Sequence, residues 1–152
     1  MDARRRRPPT APVFTSLTPN TGTGASRTFT AVYTDANGYT DVNTVLFLMN
    51  SSLVGPNGCY ISYVRGSNQF ALYRDSDATW QPIAPGAPTS VSNSNCTLSG
   101  SGLAATGAGN TMTLTFPLTF TSAFGGIKTF YTYVNDNSGL NSDWATAGSW
   151  TR

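Results

Sequence analysis

The chain contains neither histidine nor glutamate, so its seven acidic side chains are all aspartates. Two stretches gather them with other oxygen donors: Asp35, Asn37 and Asp41 in DANGYTD, and Asp136, Asn137, Asn141 and Asp143 in DNSGLNSD. Calcium takes roughly six to eight oxygen ligands, and such turns can supply carboxylates and carbonyls. Neither stretch has EF-hand spacing, and turn-capping hydrogen bonds compete for the same side chains. Calcium is the one cofactor these residues suggest. Asp75 and Asp77 would share a face of an extended chain. A glycosidase, however, needs one carboxyl group held protonated near another, and Asp-Ser-Asp is an ordinary turn. No set of catalytic residues emerges, and the expectation is a protein that is not an enzyme.

Cys59 and Cys96 are the only cysteines. Without histidine there is neither a zinc ligand set nor a base to activate a thiol. A disulfide is the favoured state, with two buried free thiols as the alternative. The bond would place the protein in an oxidising compartment. Trp80, Trp144 and Trp150, with Tyr39, are candidates for a sugar-binding platform. Aromatic residues of β proteins also fill the core or cover its ends. Arg4, Arg5, Arg6 and Arg7 make a run of cations suited to anions or to a neighbouring subunit. Beyond residue 9 there are five basic residues against six aspartates, so the body is nearly neutral. A basic tail on a nearly neutral body is weak evidence for a nucleic-acid protein, and nucleic acid is not the expected partner.

These residues must be held by strands. Thr, Ser and Asn number 23, 16 and 12 among 152 residues, favouring pleated strands and turns over helices. Residues 1–12 read as a basic, Pro-rich extended arm, and residues 13–152 as one domain. Strand patterns follow at 13–17, 27–34, 44–50, 59–64, 69–74, 95–98, 111–121 and 128–135, with a last one near GSWTR. The clearest is TMTLTFPLTFT, where Met112, Leu114, Phe116, Leu118 and Phe120 recur at every second position. Pro117 lacks a ladder donor, which predicts an edge position or a bulge. TVLFLMN is apolar on both faces, as in a strand buried at the centre of a fold. SGSGLAATGAGN reads as a small-residue loop. The pattern predicts an all-β sandwich of about 8–9 antiparallel strands. No stretch approaches the ~20 apolar residues of a membrane-spanning helix.

Three segments carry a resemblance: VFTSLTPNTGTG, VYTDANGYTDV and YTYVNDNSGLNSDW. They are similar to the opening strand and turn, a Tyr-x-Asp-x-x-Gly strand end, and the penultimate strand of bacterial immunoglobulin-like repeat modules. The resemblance covers roughly residues 11–152. It implies an immunoglobulin-like β-sandwich, extracellular or cell-surface display, and a non-catalytic role in structure or adhesion, with neighbouring repeats or other protein subunits as partners. One alternative is a self-assembling subunit of a filament or shell, joined through the arm. A second is a carbohydrate-binding module with a glycan partner.

Overall fold

The computed structural model describes residues 8–152. Arg4, Arg5, Arg6 and Arg7 lie outside them. Among the described residues, twelve strands form two antiparallel six-stranded sheets. The first sheet runs β1 (Val13–Thr18), β2 (Ser26–Thr34), β10 (Thr111–Phe120), β8 (Cys96–Ser99) and β7 (Ser90–Ser92), with β9 (Ala104–Ala108) also on β10. The second runs β12 (Ala145–Thr151), β11 (Ile127–Asp136), β3 (Val42–Asn50), β4 (Cys59–Val64), β5 (Gln69–Arg74) and β6 (Thr79–Ile83). No helix among the described residues is long and apolar enough to cross a membrane.

The count exceeds the expected 8–9 because β6, β7 and β9 carry weak strand signals. β6 contains Pro82 and is mostly exposed, β7 is three residues long, and β9 is AATGA. Small residues suit β9 for a steric reason. The ring of Tyr39 lies against Gly107, and any Cβ there would collide with it. Pro117 sits neither at an edge nor in a bulge. The register of β10 with β2 runs unbroken across it, Pro117 opposite Thr28. On its other side, β10 changes partner from β9 at Thr115 to β8 at Leu118. The proline therefore occupies the gap between two short strands, where a missing N–H is tolerated.

The alternating stripe of β10 faces inward, every member 3 % exposed or less. Phe116 lies opposite Phe29 in its own sheet and 4.6 Å from the ring of Phe47 in the facing sheet. Phe29 in turn approaches Phe130 at 5.0 Å and Trp150 at 5.3 Å, both edge-on. Each such side chain contributes about 1.5–3 kcal/mol by leaving water. One buried polar bridge crosses this core. Tyr33 Oη and Thr132 Oγ1 lie 2.7 Å apart, and Thr132 Oγ1 also donates to the Leu46 carbonyl. Burial pushes the Tyr33 phenol far above its ordinary pKa, keeping it neutral.

Cys59 on β4 and Cys96 on β8 form the expected disulfide, which ties one sheet to the other. The bond closes 37 residues of chain, worth roughly 4 kcal/mol on the chain-entropy account. Replacing both cysteines with alanine should lower the urea-unfolding free energy by about that amount. A loss below about 1 kcal/mol would mean that the apolar interface alone sets the sheet packing.

Candidate functional site

Two groups of side chains stand out, one where the sheets end and one on an outer face. The first grows from the strand alternation itself. Phe29, Ala31 and Tyr33 point into the core from β2, and the next position in that phase is Asp35, 0 % exposed. Phe130, Thr132 and Val134 point inward from β11, and the next position is Asp136, 3 % exposed. Both strands therefore end by turning a carboxylate inward. Asp41, in a short 3-10 turn at Tyr39–Asp41, joins them. One carboxylate oxygen from each of the three residues lies within 4.8 Å of the others.

The loops that carry these acids are stitched together. Asn137 donates its backbone N–H to the Asp41 carbonyl at 2.8 Å and its amide to the Thr40 carbonyl at 3.2 Å. Asn43 donates to Asn137 Oδ1 at 3.0 Å. Asn137 thus acts as a clasp. Asn37 donates its backbone N–H to Asp35 Oδ1, while its own Oδ1 accepts from Thr10 N at 2.7 Å. That bond pins the end of the arm to this loop. Asp143 is exposed and stands outside the group of three; its backbone N–H is engaged by Asn141. Of the seven oxygen-donor residues read in the two stretches, the fold gathers Asp35, Asp41 and Asp136, uses Asn37 and Asn137 as loop fasteners, and leaves Asn141 and Asp143 outside the cluster. Carrying the β2 and β11 alternation one step further would have marked Asp35 and Asp136 as inward-facing.

The second group lies on the outer face of the second sheet. Tyr73 pairs with Trp80 across β5 and β6, their rings 5.3 Å apart, and Tyr60 on β4 lies 5.0 Å from Trp80. Trp144 stands 6.4 Å from Tyr60 and 5.6 Å from Tyr133. Tyr60 and Tyr133 belong to the strands on either side of β3, so the Trp144 indole spans β3. Leu48, facing outward beside Tyr60, is only 2 % exposed. β3 is apolar on both faces as expected, and its outer Leu48 lies between Tyr60 and Tyr131 of the neighbouring strands, with Gly58 of the β3–β4 loop packed close against it. Trp80 is 41 % exposed. Burial raises the Tyr60 phenol, so its hydroxyl remains a donor at neutral pH.

Trp150 does not belong to this face. It is 3 % exposed, packs on Phe29, and donates its indole N–H to the Gly24 carbonyl at 2.9 Å. Tyr39 lies with Gly107 of β9 instead. Tyr60, Tyr73 and Tyr133 were not anticipated; their phase opposite the inward residues of β4, β5 and β11 was the available signal. Asp77 is paired with Arg74 through two hydrogen bonds of 3.0 and 2.6 Å and also accepts from Thr79. Those bonds hold its carboxyl down at about 2, so it stays ionised. Asp75 accepts from Asn57 N.

No protein-family model, curated protein or solved structure matches the chain.

Burial holds the Asp35 carboxyl above its ordinary range, helped by the nearby charges of Asp41 and Asp136 and opposed by the Asn37 amide. An acid whose pKa rises on folding favours the fold while protonated. Its contribution is complete below about pH 4 and is lost as pH rises through the folded value. In chelator, the stability of the native chain should therefore fall relative to that of Asp35→Asn as pH rises from 4 towards 7. Denaturant midpoints of the two proteins that stay parallel across this range would contradict the assignment.

Proposed function

We propose that this chain is a non-catalytic, immunoglobulin-like module of a secreted or cell-surface protein, and that it binds carbohydrate through the outer face of its second sheet. The observation that carries the proposal is the group of five rings, Tyr60, Tyr73, Trp80, Tyr133 and Trp144, gathered on one face. A sugar ring presents an apolar C–H face edged by hydroxyls. Tyrosine and tryptophan match both, with a flat apolar body and a polar tip. Rings packed against one another lose little conformational freedom on binding, which favours recognition. A contiguous aromatic patch facing solvent is a common mark of a binding surface.

The architecture supports the rest of the proposal. Two facing antiparallel sheets joined by short turns and an inter-sheet disulfide suit an immunoglobulin-like sandwich. A disulfide suits an oxidising, extracytoplasmic setting.

A glycan array probed with the full chain should give binding to a polysaccharide or oligosaccharide class. Trp80→Ala should weaken that binding roughly tenfold, equivalent to about 1.4 kcal/mol, while lowering the melting temperature by only a few degrees, roughly the loss of its ring contacts with Tyr60 and Tyr73. An array without binders, or binding indifferent to both Trp80→Ala and Trp144→Ala, would refute the carbohydrate reading.

A further inference from the structure

We propose that Asp35, Asp41 and Asp136 form a calcium site that locks the loop ends of the two sheets together. Three carboxylates converge within 4.8 Å, two of them almost wholly buried. Acidic clusters occur without ions, so the decisive feature is how each buried carboxylate divides its oxygens. Asp136 Oδ1 accepts three hydrogen bonds, from Ser138 N at 3.0 Å, Ser138 Oγ at 2.8 Å and Leu140 N at 2.9 Å. Asp35 Oδ1 accepts from Asn37 N at 2.8 Å. The second oxygens, Asp35 Oδ2 and Asp136 Oδ2, are buried and have no hydrogen-bond partner among the described residues.

A buried carboxylate oxygen without a donor is costly, and two in one cluster of like charge are costlier. A divalent cation removes both penalties by accepting those oxygens as ligands. The chemistry of the donors selects the ion. All are hard oxygens, with no nitrogen or sulfur ligand beside them, which favours calcium or magnesium over zinc or copper. The carboxylates come from two strand ends and a 3-10 turn and reach only three oxygens to within 4.8 Å of one another, a set that the adaptable coordination of calcium accepts more readily than the strict octahedron of magnesium. Bound there, calcium would join the β2–β3 loop to the β11–β12 loop, reinforcing the Asn137 clasp from within.

The test uses the full chain, stripped with EDTA and exchanged into chelator-free buffer. Calorimetric titration with CaCl2 should show one site per chain. A hundredfold excess over Kd should raise the melting temperature by roughly 5–10 °C. Magnesium at equal concentration should do much less. Asp136→Asn should abolish the shift, and Asp143→Asn should leave it intact. If Asp136→Asn fails to fold, amide shifts of residues 35–41 and 136–140 in the calcium-loaded native chain carry the test. The proposal is overturned if calcium gives neither heat nor shift, if sodium at matched ionic strength reproduces the shift, or if Asp136→Asn folds and keeps it. A calcium shift that appears only after residues 1–7 are removed would assign the carboxylates to arginines of the arm, overturning the proposal for the native chain.

Discussion

Phe29 is where the two sheets are held against each other. Its ring meets Phe116 and Phe120 within its own sheet and Phe130 and Trp150 across the interface, and it is wholly buried. Around it the inward stripes of β2, β10, β3 and β11 interlock, with the disulfide and the Tyr33–Thr132 hydrogen bond as cross-ties. Once that interface is set, side-chain alternation leaves no freedom in what faces where. Every second residue of the second sheet must point away from the core, and several of those residues are Tyr. The strands also end in a fixed phase, so Asp35 and Asp136 must turn inward.

The two candidate sites are thus opposite consequences of one packing arrangement. The aromatic face is what the second sheet shows to solvent. The acidic cluster is what the core meets where apolar side chains run out. Each violates the ordinary pattern of a sheet, in which inward residues are apolar and outward ones polar. Such local violations in an otherwise consistent fold are where function is expected. Loop geometry supports the distinction. Asn137 and Asn43 supply hydrogen bonds that hold the acidic loops in place, and the arm is anchored on the same loops through Thr10 and Asn37.

Much of the architecture was legible from period and composition. The β4 and β5 patterns matched their strands residue for residue, and β10 was legible because large apolar residues recur at every second of its ten positions, with Thr, or once Pro117, between them. β9 was hidden because Ala and Gly carry little strand signal, and its reason for being small, the Tyr39 ring, lies elsewhere in the chain. Trp150 was misplaced because residue type does not report depth; only its packing on Phe29 shows that it closes the core. The two acidic turns were visible separately, about a hundred residues apart. Their convergence depends on β2 and β11 lying in facing sheets, which no local pattern encodes. The aromatic face was half visible through Trp80 and Trp144, while the tyrosines that join them required the strand register.

The central claim is that the outer face of the second sheet is the binding surface. Its most direct measurement is NMR of the isotope-labelled full chain, titrated with the strongest glycan from the array. The account predicts shift changes concentrated on the rings of Tyr60, Tyr73, Trp80, Tyr133 and Trp144, with the Trp150 indole N–H unmoved. Changes confined to the edge strands or the acidic loops, with those five rings silent, would contradict it.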